Sequence, residues 1–148
     1  MGDLPKILVE TEANRPSGSD QARSAERVGL LIYVVDDEPT VGELISTLLE
    51  MEQMPSLVFR DPRVALESFA AAHPRPNLLI TDFLMSPFHG MELIQRCKQL
   101  QPELRTILIS GNIDADTVEH FPVRPNLFIR KPFQSQVLID AVRRLTGV

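Results

Sequence analysis

Short, mostly apolar runs recur along the chain, each closed off by prolines, glycines or charge. Gly29–Val35, Ser56–Phe59, Leu78–Thr81, Arg105–Ser110 and Asn126–Ile129 have strand length, and their near-continuous apolarity predicts strands buried on both faces. Between them the apolar residues return at helical spacing. Pro39 opens the first helix, where a missing N–H does no harm. Val41, Leu44, Ile45, Leu48 and Leu49 then follow the spacing of a core-facing stripe. Asp61 and Pro62 pair an N-cap with a proline at the first helical position. The helix they start carries Ala65, Leu66 and Phe69 inward and is expected to end near His73-Pro74. From Met91 to about Leu100, the residues Leu93, Ile94, Cys97 and Leu100 share one side. Asp114 to about His120 reads as a short, weak helix cut off by Pro122. In the last helix Val137, Leu138, Ala141, Val142 and Leu145 share a face, with Gly147 just past its end. Strand and helix alternate throughout, which predicts an α/β fold: a parallel sheet, helices on both faces, right-handed crossovers.

Residues 1–28 are a different material. The stretch Asn14–Asp20 has a polar, turn-rich composition, and Lys6–Glu10 could make a short strand but has no partner by pattern. This part is expected to be a flexible tail or linker, and residues 29–148 a single domain long enough to bury a core. A net charge of −5 without a basic block argues against direct nucleic-acid binding. No apolar run approaches the roughly 20 residues of a membrane helix. The N-terminus has no charged-then-apolar leader, so a cytoplasmic location is expected. Cys97 is the single cysteine, which excludes an internal disulfide, and its place on an apolar helical face suits packing rather than reactivity. His73, His89 and His120 show no metal-ligand spacing.

Candidate chemistry gathers at the carboxyl ends of the strands, which share one edge in a parallel sheet. The first strand ends in Asp36, Asp37 and Glu38, the third in Asp82 and the fourth in Ser110; Lys131 follows the fifth. Taken alone, each has a plainer reading. Asp37 or Asp82 can cap a turn or helix, Ser110 can satisfy a loop N–H, and Lys131 can be a solvated cation. Together at one edge they support a specific chemistry. Three neighbouring carboxylates repel one another and need a cation, and hard oxygen donors without sulfur or imidazole suit Mg²⁺. A metal-bound carboxylate can attack phosphorus. Lys131 supplies a second point charge for phosphoryl oxygens, and Ser110 a short hydroxyl.

Over about residues 29–148 the chain resembles a response-regulator receiver domain, the phosphoacceptor module of bacterial two-component signalling. The motifs that carry the resemblance are the acidic pair Asp36-Asp37, Asp82 with Met85 three and Gly90 eight residues on, Ser110-Gly111, and Lys131-Pro132 with Phe128 three residues before the lysine. The resemblance implies a flavodoxin-like fold with strand order 2-1-3-4-5. It implies Asp82 as phosphoacceptor, assisted by Lys131 and Ser110. Mg²⁺ is implied on Asp37, Asp82 and the main-chain carbonyl of Leu84, with Asp36 acting through a water. Ser110 and Phe128 would form the switch, and Pro132 would follow a cis bond. Leu84 and Asn112 would flank the path of hydrolytic water; the first should partly exclude water and the second can orient it but is neutral and no strong base, so slow self-dephosphorylation is expected. The implied partners are a sensor histidine kinase or a histidine phosphotransfer protein, a downstream target or effector domain, and a second copy through the 110–145 face. With little chain after Leu145, signalling by contact or onward phosphotransfer is expected. The protein would not be an enzyme in the turnover sense.

Two departures stand out. Ser86 occupies the position four residues after the phosphoacceptor where the family has proline, and Pro87 follows it. Phe121–Asn126 replaces the usual small pair before the fifth strand, and its two prolines should shorten the helix before it. Two alternatives compete with the switch. One is a receiver-like docking module that is never phosphorylated. The other is an aspartate-nucleophile phosphatase of the haloacid dehalogenase type, which needs a second aspartate where this chain has Leu84.

Overall fold

The computed structural model describes residues 29–111 and 113–148; the stretch 1–28 and Asn112 lie outside the described residues. Five parallel strands form one sheet: β1 (Ile32–Val35), β2 (Ser56–Phe59), β3 (Leu78–Asp82), β4 (Arg105–Ser110) and β5 (Leu127–Arg130). Five helices alternate with them: α1 (Pro39–Met51), α2 (Pro62–Ala71), α3 (Gly90–Leu100), α4 (Ala115–Val118) and α5 (Ser135–Thr146). The strand order is β2-β1-β3-β4-β5, the flavodoxin-like order that was expected. The chain enters at β1, winds to the β2 edge, then returns past β1 to β3. Strand order therefore reverses between β1 and β3, where such sheets form a crevice beyond their carboxyl ends.

Alternation along each strand splits the core in two. Ile32, Val34, Leu78, Ile80, Ile107 and Ile109 pack with Ile45 and Leu49 of α1 and with Leu138 and Val142 of α5. Tyr33, Val35, Leu79 and Leu108 pack on the opposite face with Phe69 of α2, Leu93 and Ile94 of α3, and Val118 of α4. Cys97 is buried there, and burial pushes its thiol up to about 12.

Local chemistry moves some element ends away from the sequence expectation. β1 begins only at Ile32, because the Leu31 N–H donates to the Asn77 side chain at 2.8 Å instead of joining the ladder. α2 stops at Ala71, with Ala72 as its C-cap just ahead of His73-Pro74, close to the expected end. A residue before proline disfavours helical backbone, and the Arg75 guanidinium takes up the released carbonyls of Phe69 and Ala70 at 3.0 and 3.1 Å. β5 runs one residue later than predicted, since Asn126 spends its side chain on the Thr106 N–H at 2.8 Å. α4 is shorter than predicted: Asp114 caps it through the Thr117 N–H, and Pro122 and Pro125 follow. Leu44, Leu100 and Val137, expected on core faces, are instead exposed at 52%, 41% and 46%.

Candidate functional site

The carboxyl ends of β1 and β3 deliver the acidic residues. Asp36 follows Val35 directly and is almost completely buried, Asp82 is the last residue of β3 with 9% exposure, and Asp37 is exposed at the mouth. One carboxylate oxygen from each of Asp36, Asp37 and Asp82 lies within 4.8 Å of the others. Asp36 is fixed by its neighbours: its main-chain N–H donates to the Phe59 carbonyl at 3.0 Å, and its Oδ1 accepts from the Glu38 N–H at 2.9 Å.

Lys131 comes in from the far end of the sheet. Its N–H donates to the Ser110 carbonyl at 3.1 Å, extending the β4–β5 ladder by one rung. Its Nζ stands 3.4 Å from Asp36 Oδ2 and 3.4 Å from Asp82 Oδ1. The Lys131-Pro132 and Ser86-Pro87 peptides are both cis. Gly111 lies over Lys131, and a methyl group there would sit at ordinary contact distance, 3.4 Å from Lys131 Cβ.

The electrostatics follow from burial. Desolvation raises the Asp36 carboxyl above its ordinary value, against the pull of the Glu38 N–H and of Lys131. Desolvation, then the Asp36 charge, raises Asp82, and Lys131 opposes both. For Lys131, burial works downward, but the charges of Asp36 and Asp82 outweigh it and the ammonium is held above its ordinary value. The pocket is thus short of positive charge. Both buried carboxyls are held above their ordinary values although one lysine stands between them. Clustered hard oxygen donors with that deficit fit a divalent cation of the Mg²⁺ type.

Ser110 closes β4 and is fully buried. It pairs in register with Arg130, as Leu108 does with Phe128, so Ser110 and Phe128 share one face of the sheet two residues apart in register. Phe128 is half-buried against the α2–α4 side of the core. Leu84 is 56% exposed in the loop after Asp82. Asn112, the other residue expected beside the water path, lies outside the described residues.

A family model described as the response regulator receiver domain matches residues 32–143. The chain belongs to the response regulator receiver family. It is 34% identical over 116 residues to the nitrogen assimilation regulatory protein NtrX of Azorhizobium caulinodans, covering 76% of this chain and 25% of that protein. To the transcriptional regulatory protein FixJ of Rhizobium meliloti it is 30% identical, covering 76% of this chain and 55% of that one. The chain therefore spans only a quarter to about half of these relatives. Among solved structures it resembles a receiver domain from Clostridium thermocellum, with a TM-score of 0.74, 26% identity, and coverage of 80% of this chain and 94% of that one. A CheY-like receiver from Methanospirillum hungatei superposes with a TM-score of 0.73 at 19% identity, covering 80% and 94%, a likeness of fold. The chain is thus a receiver domain of the two-component type.

Three receiver residues escaped the sequence reading. His89 caps α3 through Nδ1, which accepts from the Glu92 N–H at 3.1 Å, and its ring stacks on Phe83 at 5.0 Å. Phe121 sets its edge against both rings at 6.0 and 5.3 Å. Thr81 is a buried hydroxyl next to Asp82. A polar residue inside an otherwise apolar strand was the visible signal for Thr81. The ring cluster left none, because Phe83 and Phe121 are far apart in sequence. Among the described residues, no helix is long and apolar enough to cross a membrane.

Proposed function

We propose that this receiver is a phosphorylation switch in which Asp82 takes a phosphoryl group from a phosphohistidine on a sensor kinase or phosphotransfer protein. The observation that carries the reading is the convergence of Asp36, Asp37, Asp82 and the Lys131 ammonium at the β1–β3 switch point. Residues 29–148 are the working unit. Asp37, Asp82 and the Leu84 carbonyl would hold Mg²⁺, with Asp36 reaching it through water. When bound, the cation neutralises charge on the transferring group. A carboxylate oxygen of Asp82 attacks phosphorus in line; the P–O bond forms as the P–N bond breaks, and the electron pair leaves on the imidazole nitrogen. Lys131 would stabilise the phosphoryl oxygens, and its charge draws the Asp82 carboxyl down against the larger upward push of burial. The product is an acyl phosphate. The chain assists its own modification and slow loss of phosphate rather than turning over a substrate.

The response follows from the shared face of Ser110 and Phe128. The phosphoryl group adds charge and acceptors beside the Ser110 hydroxyl. Drawing Ser110 toward it vacates space on that face, and Phe128 turns inward to fill it. Phe128 has no hydroxyl, so its inward state rests on packing alone. The surface over residues 110–130 then changes, and with it the affinity for a downstream target, an effector domain or a second copy across the 110–145 face. The test uses phosphoramidate, a small donor with the same P–N bond as phosphohistidine. With Mg²⁺ the protein should gain a label that is labile to hydroxylamine, as an acyl phosphate is. EDTA should prevent it. A receiver that serves only for docking takes up no label.

A further inference from the structure

Thr81 is fully buried and stands outside the acidic pocket. Alternation turns it, with Leu79, toward α2 and α3, whereas Asp82 follows Leu78 and Ile80 toward α1 and α5. Its Oγ1 donates to the main-chain carbonyl of Asp82 at 2.9 Å. The single hydroxyl proton has a second acceptor in reach, Met85 Sδ at 3.9 Å, but the carbonyl oxygen is nearer and the better acceptor. The same carbonyl is pressed from another direction. A Cβ on Gly90 would stand 2.1 Å from the Asp82 oxygen and 3.1 Å from Thr81 Oγ1. The Gly90 N–H donates to the Phe83 carbonyl at 2.8 Å and closes the loop. The Asp82 peptide is therefore held between a hydroxyl behind it and a bare Cα above it. Threonine is also a good strand former by shape, but valine has that shape too. What valine lacks is the donor.

We infer that Thr81 is a positioning residue for the phosphoacceptor: its hydroxyl fixes the Asp82 peptide from the far face of the sheet. It thereby sets where the Asp82 carboxylate and the following loop stand toward the cation and the incoming phosphorus. This rests on the phosphoacceptor reading above. The physical stake is alignment, since a small misplacement of a reacting group costs rate without removing any group from the pocket.

The test compares the full chain with Thr81→Val, which keeps the shape, and Thr81→Ser, which keeps the hydroxyl. Mg²⁺ is titrated by following the amides of residues 82–84, and labelling by acetyl phosphate is followed across donor concentration at saturating Mg²⁺. Thr81→Val should weaken Mg²⁺ binding by about tenfold, the size of effect seen when a partner behind a ligand is removed. It should lower the maximal labelling rate while leaving the half-saturating donor concentration unchanged. Thr81→Ser should stay close to the parent on every readout. If the valine variant does not fold, Thr81→Ala against Thr81→Ser gives the same comparison, since the two differ by the hydroxyl alone. A hydroxyl-free variant that binds Mg²⁺ as tightly as the parent overturns the inference. So does a serine variant as impaired as the one without the hydroxyl. A parent that takes no label overturns the phosphoacceptor reading, and the Mg²⁺ comparison still decides on Thr81.

Discussion

Two loops leave the same edge of the sheet from neighbouring strands and are built in opposite ways. The loop after β3 is tied at every stage. Thr81 and Gly90 pin the Asp82 peptide, Gly90 closes the loop on Phe83, and His89 caps a helix that buries Met91, Leu93, Ile94 and Cys97. The loop after β4 leads to a helix of 4 residues, which buries its own Val118, and then to a stretch carrying Pro122 and Pro125. The strand end that carries Asp82 is over-determined. Among the described residues, the side after β4 is held by short-range bonds, Asp114 with Thr117 and His120 with the Asp116 carbonyl, before Asn126 ties it back to Thr106. The rings of Phe83, His89 and Phe121 join the two.

The largest effect should come from substituting glycine on each side. Gly90→Ala drives a methyl group into the Asp82 carbonyl, so the strand end or the helix must shift. About 2–3 kcal/mol of destabilisation is expected by urea unfolding, the upper range for overpacking, with Mg²⁺ binding weakened as well. Gly111→Ala meets Lys131 only at contact distance and should cost under about 1 kcal/mol. Equal costs at the two positions would erase the contrast between a tight and a loose side.

Next in size is the response. With beryllofluoride and Mg²⁺, the parent should show amide shifts over residues 110–130. Ser110→Ala should still bind the analogue but lose most of those shifts. If the pattern is unchanged, the coupling does not pass through the Ser110–Phe128 face.

The pocket's own strain gives a pH test. Burial raises the Asp36 carboxyl, so the folded state binds that proton more tightly than the unfolded chain. The group's stabilising contribution is complete below its unfolded value and is lost as pH rises through the folded one. Asp36→Asn keeps an acceptor for the Glu38 N–H and removes the charge. Without Mg²⁺, it should melt a few degrees above the parent near neutral pH, roughly the shift from 1 kcal/mol in a domain of this size. The gain should vanish as pH falls toward the ordinary carboxylate range. A variant less stable than the parent at neutral pH would mean that the Lys131 pair outweighs desolvation.

The smallest effect concerns lifetime. Leu84 is exposed beside the site and offers no hydrogen bond. Leu84→Asn should release phosphate several-fold faster at saturating Mg²⁺, on the order of 1 kcal/mol in barrier. An unchanged rate would reduce Leu84 to a cover for loop backbone.

The sheet and its order were legible because every strand is a short, mostly apolar run between breakers, and a parallel sheet buries such runs on both faces. The candidate site was visible for the same reason: Asp36, Asp82, Ser110 and Lys131 stand where those runs stop, and Asp36, Asp82 and Lys131 meet in space. Sequence could not show which stripe positions are marginal, since Leu44 and Ile45 differ in burial by geometry alone. It could not show Thr81 acting on Asp82 either, because a main-chain carbonyl leaves no mark in the residue pattern. His89 as a cap was hidden by a residue type that rarely fills that role.

The central claim is that Asp82 is the phosphoacceptor of an Mg²⁺-dependent receiver. Its most direct test is intact-mass spectrometry with peptide mapping after incubation with acetyl phosphate and Mg²⁺. The account predicts one phosphoryl group per chain, carried on Asp82, and none on Asp82→Asn or without Mg²⁺. A parent that stays unlabelled, a label that survives Asp82→Asn, or many equivalents of phosphate released without a labelled protein would contradict it.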